Sequence, residues 1–443
     1  MNFVNSHDPT RRASAASRWA IATLVTFLAF GIYIASPVKF AADSVWAIHT
    51  SMSLLRGNGG DLSEYQKLVD ERQLYAARIY HGHPYNLFPI GTSLLAMPAV
   101  IAAETYYPKL NDDLKWAVPT NMQKYIASAI GAIAAGLFFL FLSTYFEGVA
   151  VPLASTVIFC FCTSMWSQAT RSLWQHGPLV MMLCATLLLM AWARRRPWVI
   201  QFAGATLAFA FICRPTSAIP ILAITCYVLI RYRTWAPQFF AWAVILAAPW
   251  LAYNWSITNT LFTDYYLPSR IEETSTFWTA LTGNLVSPGR GLLVYSPVLI
   301  CAVPGFWFAM RRPEHRALAL ISGGVVIIHT IMIARFPHWW GGWSYGTRFM
   351  TDVMPFLVYL VAIFIDDISR WAPRPRASAA LGLGSLITIS LFMHGQGALN
   401  YATLDWSSTP ANIDLAPDRL WDWRDPAFLR GLSPSARSVA EKP

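Results

Sequence analysis

Long apolar runs recur from one end of the chain to the other, separated by short polar stretches. A helix that crosses a lipid bilayer needs about 20 mostly apolar residues, with about 17 to 25 tolerated. Eleven runs approach or meet this length, so the pattern predicts an all-α polytopic membrane protein with about 11 transmembrane helices. The predicted spans are 19–36, 124–145, 150–167, 177–193, 198–213, 216–230, 236–254, 291–310, 317–334, 349–366 and 377–394.

The predicted orientation of the helices depends on whether a twelfth apolar run, 87–103, crosses the membrane. Pro89 and Pro98 disfavour a regular helix in this run. Arginines collect in the cytoplasmic loops of membrane proteins. All the arginine clusters of this chain fall on one side only if 87–103 does not cross, so we expect it to lie in the outer interface. These clusters are Arg11, Arg12 and Arg18; Arg194, Arg195 and Arg196; Arg231 and Arg233; Arg311, Arg312 and Arg316; and Arg370, Arg374 and Arg376.

This arrangement predicts a cytoplasmic N-terminus and a C-terminus on the outer side. The first outer loop is large and is expected to contain interfacial helices. The segment 419–426 of the outer tail would either contact an acceptor or fold back over the outer surface, and we favour the second. The predicted parts are a tail at 1–18, a membrane domain at 19–394 with outer loops at 37–123 and 255–290, and an outer tail at 395–443.

Composition agrees with a membrane protein. Of the 443 residues, 55% are hydrophobic and only 13% are charged, against about 25% charged in a typical soluble domain. Soluble, disordered, collagen-like and disulfide-scaffold classes are therefore excluded. The net charge of +10 follows from the cytoplasmic arginines, and no nucleic-acid-binding pattern is visible, so we expect no nucleic-acid partner.

The predicted spans contain few ionisable residues, with Asp352 and His329 as exceptions. Ion-coupled transporters hold their ions with charged or polar groups at mid-membrane. In this chain the polar residues collect instead in the outer loops and at the outer ends of the spans. This distribution favours an enzyme that works at the outer membrane surface over a transporter.

Asp43 is the first candidate for chemistry, because it lies shortly after the first span and before an amphipathic stretch. One interpretation is an N-cap of the following helix, since Asp is a favoured cap residue. The other is a general base held at the membrane surface. Spacing alone favours the cap.

Single cations stand at the predicted outer ends of several spans. Each by itself is typical of a side chain that snorkels to the interface or binds a lipid headgroup. Several on one face would form an anion site, and phosphate is the anion that Arg and Lys bind through charge-assisted hydrogen bonds. The predicted phosphate ligands are Lys124, Arg171, Arg214 and Arg348, and Arg335 belongs to the same group of cations.

Aromatic residues, glycines and cations are densest at 335–348, and a similar mixture occurs at 171–178. An aromatic belt at the interface would explain the Trp residues but not the glycines or the closing Arg. We predict that these loops hold a sugar phosphate. Histidines at 81 and 83 lack a third ligand, so their spacing supports no metal site. The predicted sugar or acceptor ligands are His83, Tyr85, Trp174, His176, His338, Trp339, Trp340, Trp343 and Tyr345.

The order of these features resembles the GT-C class of integral membrane glycosyltransferases, which includes protein O-mannosyltransferases and the aminoarabinose transferases of lipid A. The similarity covers the layout of about 19–290: an Asp after the first span, a Pro-flanked interfacial helix, and cations near the second and fifth spans. It implies that Asp43 is the base and that Lys124 and Arg214 bind phosphate. His176 falls near a position that is often acidic in the class. Many members have paired acids, whereas Ser44 follows Asp43 here, which weakens the inference of a metal at this pair.

The resemblance implies a glycosyltransferase of the bacterial inner membrane with its active site facing the periplasm. It would move a sugar from a polyprenyl-phosphate donor to an acceptor hydroxyl, with inversion. The acceptor would be a glycan, a lipid or a protein such as a pilin, and membrane lipids would surround the enzyme. No certain cofactor is implied, and a divalent metal stays open as an alternative that no ligand spacing supports. Two alternatives stay open: a transporter or flippase of a lipid-linked sugar, and a non-catalytic subunit that binds one.

Overall fold

A computed structural model describes residues 15–40, 42–72, 76–267 and 276–432 of the chain. The predicted N-terminal tail therefore lies mostly outside the described residues, as do parts of the second outer loop and the end of the outer tail. The structure is mostly helical. The helices are α1 Ala15–Ala35, α2 Ala47–Leu55, α3 Gln66–Arg72, α4 Gly91–Tyr106, α5 Leu110–Leu114, α6 Thr120–Tyr145, α7 Ala150–Phe161, α8 His176–Ala193, α9 Ala203–Cys213, α10 Ala218–Arg231, α11 Ala236–Thr258, α12 Phe277–Val286, α13 Leu292–Tyr295, α14 Ala302–Met310, α15 Pro313–Ala334, α16 Met354–Ile368, α17 Pro373–Leu399 and α18 Ala402–Asp405.

Seven helices of the described residues are long and apolar enough to cross a membrane. Their bounds, with adjoining short turns, are Ala15–Ala35, Thr120–Tyr145, His176–Ala193, Arg233–Thr258, Pro313–Ala334, Arg348–Ile368 and Pro373–Leu399. Each of the other four predicted runs also contains a helix, but a shorter one. These are Ala150–Phe161, Pro197–Cys213, Pro215–Arg231 and Pro297–Met310. The chain is thus an α-helical membrane protein, and the number of helices that cross stays a prediction.

Two predicted spans are interrupted in the structure. The run 150–167 is α-helical only to Phe161, and a π-helical turn follows at Met165–Ala169. The run 291–310 starts with the short α13 and is restarted at Pro297. Proline has no backbone N–H to donate to the preceding turn, so a new helix begins there.

The centre of the molecule is formed by α6, which packs against α1 and α8, and by α16, which packs against α14 and α7. Both α6 and α16 are mostly buried, whereas α1 and α17 are mostly exposed. Phe138 of α6 stacks on Phe159 of α7, with ring centroids 4.6 Å apart. The exposed helices present apolar side chains outward, as expected for a surface that faces lipid.

The described residues of the predicted first outer loop form short helices and one hairpin. The loop contains α2 to α5 and the antiparallel hairpin of β1 Ala77–Tyr80 and β2 His83–Asn86, in which Ala77 pairs with Asn86. The predicted interfacial run 87–103 contains α4, which packs against α2 and α9. A Cβ at Gly91, the first residue of α4, would lie 2.7 Å from the sulfur of Cys213. Glycine therefore allows α4 to approach the end of α9, immediately before Arg214.

The described part of the outer tail folds back over the loop at 336–347. Trp406 is fully buried, and the indole of Trp343 donates to Asn412 Oδ1 at 3.0 Å. The backbone N–H of Gly289 donates to the carbonyl of Leu420 at 3.1 Å. The described part of the tail thus belongs to the folded structure, and it folds back as expected; that this face is the outer one stays a prediction.

Candidate functional site

A cavity of about 930 Å³ lies where the start of the first outer loop, the α9–α10 junction, the end of α15 and the loop that follows α15 come together. Its volume is at the upper end of the usual range of ligand pockets, about 300 to 1,000 Å³. The lining residues are Phe40, Ala42, Asp43, Phe88, Phe211, Arg214, Pro215, Thr216, Ala218, Tyr265, Tyr266, Leu267, Met332, Ile333, Phe336, His338, Gly341, Gly342, Trp343, Arg348, Phe349 and Asp414.

The lining of this cavity contains both apolar and charged side chains. Large apolar side chains come from the residues just before α4, from α9 and from α15. They include Phe88, Phe211 and Met332. The charged residues of the lining are two arginines and two aspartates: Asp43, Arg214, Arg348 and Asp414. Such a cavity suits an amphipathic ligand with an anionic or hydroxyl-rich head and an apolar chain.

Arg214 is presented to the cavity by a break between two helices. Its backbone is extended, with φ −163° and ψ 126°, because a residue before proline is disfavoured in the helical conformation. The Nε–H of Arg214 donates to Asp352 Oδ2 at 2.8 Å and to Thr216 Oγ1 at 3.1 Å. Within the described residues its two terminal nitrogens make no hydrogen bond, so they remain available to a ligand.

Asp352 is buried behind the cavity wall and accepts three hydrogen bonds. Its Oδ1 lies 2.6 Å from Nδ1 of His176, and its Oδ2 accepts from Arg214 and from the hydroxyl of Thr216 at 2.7 Å. The other ring nitrogen of His176 lies 3.4 Å from Nε of Arg348. A neutral imidazole with its proton on Nδ1 satisfies both contacts, since Nδ1 then donates to the carboxylate and Nε2 accepts from Arg348.

Arg348 has contacts on every guanidinium nitrogen. One terminal nitrogen forms an ion pair with Asp43, and the other donates to the carbonyl of Gly341 at 3.1 Å. The guanidinium lies over the ring of Trp174, 4.0 Å from its centroid. Arg348 therefore connects Asp43 to His176 and, through it, to Asp352 and Arg214.

Asp43 does not cap the helix that follows it, so the cap interpretation is wrong. The residue before α2 is Trp46, and none of the side chains that the structure describes caps this helix end. Asp43 lies in the turn 43–46. The side chain of the next residue, Ser44, anchors this turn: its hydroxyl donates to Gln123 Oε1 at 2.6 Å and lies 2.7 Å from the Ser172 hydroxyl. The carboxylate of Asp43 lines the cavity and faces Arg348 instead.

Two of the four predicted phosphate ligands do not line the cavity. Lys124 is buried, and its ammonium donates to the backbone carbonyls of Ser36 and Val38. Arg171 is also buried, and within the described residues none of its side-chain nitrogens has a hydrogen-bond partner. Burial, with a smaller contribution from Arg290, lowers the pKa of the Arg171 guanidinium to about 9. Arg214 and Arg348 are the predicted cations that reach the cavity.

The predicted aromatic ligands divide in the same way. His338 and Trp343 line the cavity. Trp174 and His176 lie behind Arg348, in contact with it. His83 and Tyr85 are not brought to this cavity: His83 is paired with Asp61 on the hairpin at 2.8 Å, and Tyr85 lines a separate, much smaller cavity.

The three remaining aromatic residues support the loop at 336–347. Trp339 is buried against α12, where a Cβ on Gly283 would overlap its ring. The indole of Trp340 donates to Asp414 Oδ1 at 2.7 Å, and the hydroxyl of Tyr345 donates to the carbonyl of Met393 at 2.6 Å. We find these residues in structural contacts rather than in the lining.

The backbone conformation of this loop explains why it contains glycines. Gly341 and Gly342 both have positive φ, 72° and 62°, a conformation that glycine adopts without the steric cost that other residues incur. Arg290 then holds the loop by donating to the carbonyls of Trp340 at 2.7 Å and Gly342 at 2.9 Å. Burial lowers the pKa of Arg290 to about 10.

The sequence did not identify every residue of this site. Asp352 stood out as an acidic group near the end of a span, but its partners come from α8 and the α9–α10 junction and could not be read from spacing. Thr216, Phe349 and Asp414 carried no signal. Within the described residues, no group of three or more His, Cys, Asp and Glu side chains could hold a metal ion.

Comparison with known proteins adds no assignment to this geometry. No protein-family model matches the chain, and no curated protein matches it.

Proposed function

We propose that this protein is a GT-C-like glycosyltransferase that transfers a sugar from a polyprenyl-phosphate donor to an acceptor hydroxyl. The observation that carries the proposal is one cavity whose lining combines two carboxylates, two guanidiniums and many apolar side chains. A lipid-linked sugar has the matching parts: hydroxyls, a phosphate and a long hydrocarbon chain.

The phosphate of the donor would bind between Arg214 and Arg348. Both guanidiniums lie near the ring of Phe349, at 5.6 and 5.7 Å from its centroid. Asp352 holds Arg214 through Nε only, which leaves the terminal nitrogens for a phosphate oxygen. We leave Lys124 and Arg171 out of the donor site, because their side chains do not line the cavity.

Asp43 would act as the general base. It accepts the proton of the acceptor hydroxyl while that oxygen forms a bond to the anomeric carbon. The bond between this carbon and the phosphate oxygen breaks on the opposite face, so the configuration inverts. The electron pair leaves with the phosphate, and Arg214 and Arg348 stabilise the growing negative charge as fixed electrostatic partners.

The apolar side chains of the lining would take the first isoprenoid units of the donor. Phe211, Met332 and Phe336 are among them, and the exposed faces of the surrounding helices carry apolar side chains that face lipid. His338, Trp343 and Asp414 line the same cavity and would contact the sugar or the acceptor.

The proposal includes a location and an orientation. The protein would lie in the bacterial inner membrane with about 11 spans, the N-terminus inside, and the C-terminus and the cavity on the periplasmic side. A C-terminal alkaline phosphatase fusion would then be active. An inactive phosphatase together with a fluorescent C-terminal GFP fusion would contradict the orientation.

A transfer assay tests the function. Membranes that contain the wild-type chain or Asp43→Asn are given labelled polyprenyl-phosphate sugars, and the release of polyprenyl phosphate is measured. Loss of one such catalytic group is expected to lower the rate by about 100- to 1,000-fold. Near-normal transfer by an equally expressed Asp43→Asn would contradict the role of Asp43, and movement of the lipid across the membrane without transfer would favour a flippase.

A further inference from the structure

The charged side chains that line the cavity have no net positive charge. Arg214 and Arg348 are matched by Asp43 and Asp414 among the lining residues, and Asp352 adds a further carboxylate just behind the wall. A polyprenyl-phosphate sugar is a phosphodiester with one negative charge, and the polyprenyl monophosphate that its transfer releases carries about −1.5 to −2 at neutral pH. Without some change, such a ligand meets a cavity whose cations are already neutralised.

The two arginines differ in how exposed their carboxylate partners are. Asp352 is buried, accepts three hydrogen bonds, and occupies only the Nε side of Arg214. Asp43 lies in a turn rather than in a helix, and its side chain is more exposed, at 14% against 3%. Because Asp43 borders the cavity directly, its contact with Arg348 is the one that a ligand reaches.

We propose that Asp43 and the phosphate of the ligand are alternative partners of Arg348. A phosphate that enters the cavity replaces the carboxylate on the guanidinium, and Asp43 turns toward the acceptor. The inference rests on the proposed function, since it assigns the anion of that same site. No bond is made or broken in this step; one ion pair replaces another.

The exchange would give the reaction an order. A carboxylate held by a guanidinium is stabilised in its charged form and is a weak base. Once the phosphate takes Arg348, that stabilisation is lost and Asp43 becomes a stronger base. Asp43 would therefore be competent only when the donor is bound.

Competition has a consequence that simple base catalysis lacks. If Asp43 occupies Arg348 in the free protein, then removing its charge must strengthen the binding of phosphate while it abolishes transfer. Coupling free energies between two sites typically change an affinity by about 5- to 150-fold, and we expect a gain in this range for Asp43→Asn. A catalytic base with no such contact would leave the affinity nearly unchanged.

Asp414 provides the matched control. It also lines the cavity as a carboxylate, but its Oδ1 is held by the indole of Trp340 and not by Arg348. Removing any negative charge nearby raises anion affinity somewhat. The proposed exchange requires a much larger gain for Asp43→Asn than for Asp414→Asn.

The experiment measures the dissociation constant of polyprenyl monophosphate for the full chain in nanodiscs, by native mass spectrometry. The variants are wild type, Asp43→Asn, Asp414→Asn, Arg348→Gln and the double variant Asp43→Asn/Arg348→Gln. We expect tighter binding for Asp43→Asn, weaker binding for Arg348→Gln, and no gain from Asp43→Asn once Arg348 is replaced. Asp43→Ser replaces Asp43→Asn if the Asn variant does not fold.

The outcomes separate this inference from the proposed function. If Asp43→Asn loses transfer but binds polyprenyl monophosphate no more tightly than wild type or Asp414→Asn, the exchange is wrong and the enzyme assignment stands. If none of the variants binds polyprenyl monophosphate, both fail. Inorganic phosphate serves as a second probe: a gain seen with inorganic phosphate and not with the lipid would overturn a lipid-linked ligand.

Discussion

Asp352 holds together the residues that surround the cavity. It accepts hydrogen bonds from Arg214 and Thr216 and lies against His176, which in turn contacts Arg348. One buried carboxylate thus positions both candidate phosphate ligands. Neighbours along the chain do not reveal this role, because Asp352 is separated from His176 by 176 positions and from Arg214 by 138.

Asp352→Asn is therefore expected to destabilise the protein. An amide keeps the shape of the side chain but leaves Arg214 as a buried charge without a counterion, and breaking a buried ion pair in this way costs about 3–5 kcal/mol. Thermal unfolding in detergent measures the effect. Asp405→Asn, at an exposed position, serves as the control, and equal unfolding temperatures for the two variants would count against the role of Asp352.

Arg171 and Arg290 are both buried guanidiniums, but their surroundings are opposite. Arg290 donates to three backbone carbonyls, those of Trp340, Gly289 and Gly342. Arg171 has no hydrogen-bond partner among the described residues and lies 5.5 Å from the ring centroid of Trp174. A buried charge without partners costs several kcal/mol.

The same substitution should consequently change stability in opposite directions at these two positions. Arg171→Met removes an unpaired buried charge and should raise the free energy of unfolding, on the order of 1–4 kcal/mol. Arg290→Met leaves carbonyls unpaired and should lower it, by about 1–3 kcal/mol for each buried group left unsatisfied. Unfolding in detergent compares both variants with wild type, and a loss of stability in Arg171→Met would show that Arg171 has a partner in the folded protein.

The outer tail and the loop at 336–347 stabilise one another. Trp406 is fully buried, donates to the carbonyl of Asp425 at 2.6 Å, and has the guanidiniums of Arg290 and Arg419 over its ring, 5.4 and 4.7 Å from the centroid. Asp414 of the tail reaches the cavity. The tail therefore helps to complete the cavity and to hold the loop that lines it.

Trp406→Ala should release the tail. Truncating a buried Trp costs about 3–5 kcal/mol, more than a small tail can lose while it stays docked. Limited proteolysis should cut the tail of this variant faster than that of wild type. The matched substitution is Trp423→Ala, whose side chain is 59% exposed; equal cleavage of the two variants would contradict the docking role of Trp406.

The helices could be predicted from the sequence because apolar runs report local structure, and all eleven runs contain helix in the structure. The prediction missed the breaks at Cys162 and Pro297 because both lie inside runs that are apolar on average, although Thr163, Ser164 and Pro297 interrupt them. The composition of the site could be predicted only in part. Asp43, Arg214 and Arg348 stand at the ends of predicted elements, but the separation of Arg171 and Lys124 from the cavity depends on how distant segments pack.

In the whole molecule, the cavity lies where the start of the predicted first outer loop, the α9–α10 junction, the end of α15 with the loop that follows it, and the folded tail meet. In the part of the chain that the structure describes, seven helices are long and apolar enough to cross a membrane. The lining of the cavity combines four charged side chains with many apolar ones. This combination is the one that the proposed lipid-linked substrate would need.

The central claim is that this cavity transfers a sugar to a cell-surface acceptor, and mass analysis of surface glycans and glycoproteins in the native host tests it most directly. Deletion of the protein should remove the mass of one sugar from a surface glycan or glycoprotein. The wild-type chain and Asp405→Asn should restore that mass, and Asp43→Asn should not. Unchanged masses after deletion, or full restoration by Asp43→Asn, would contradict the account.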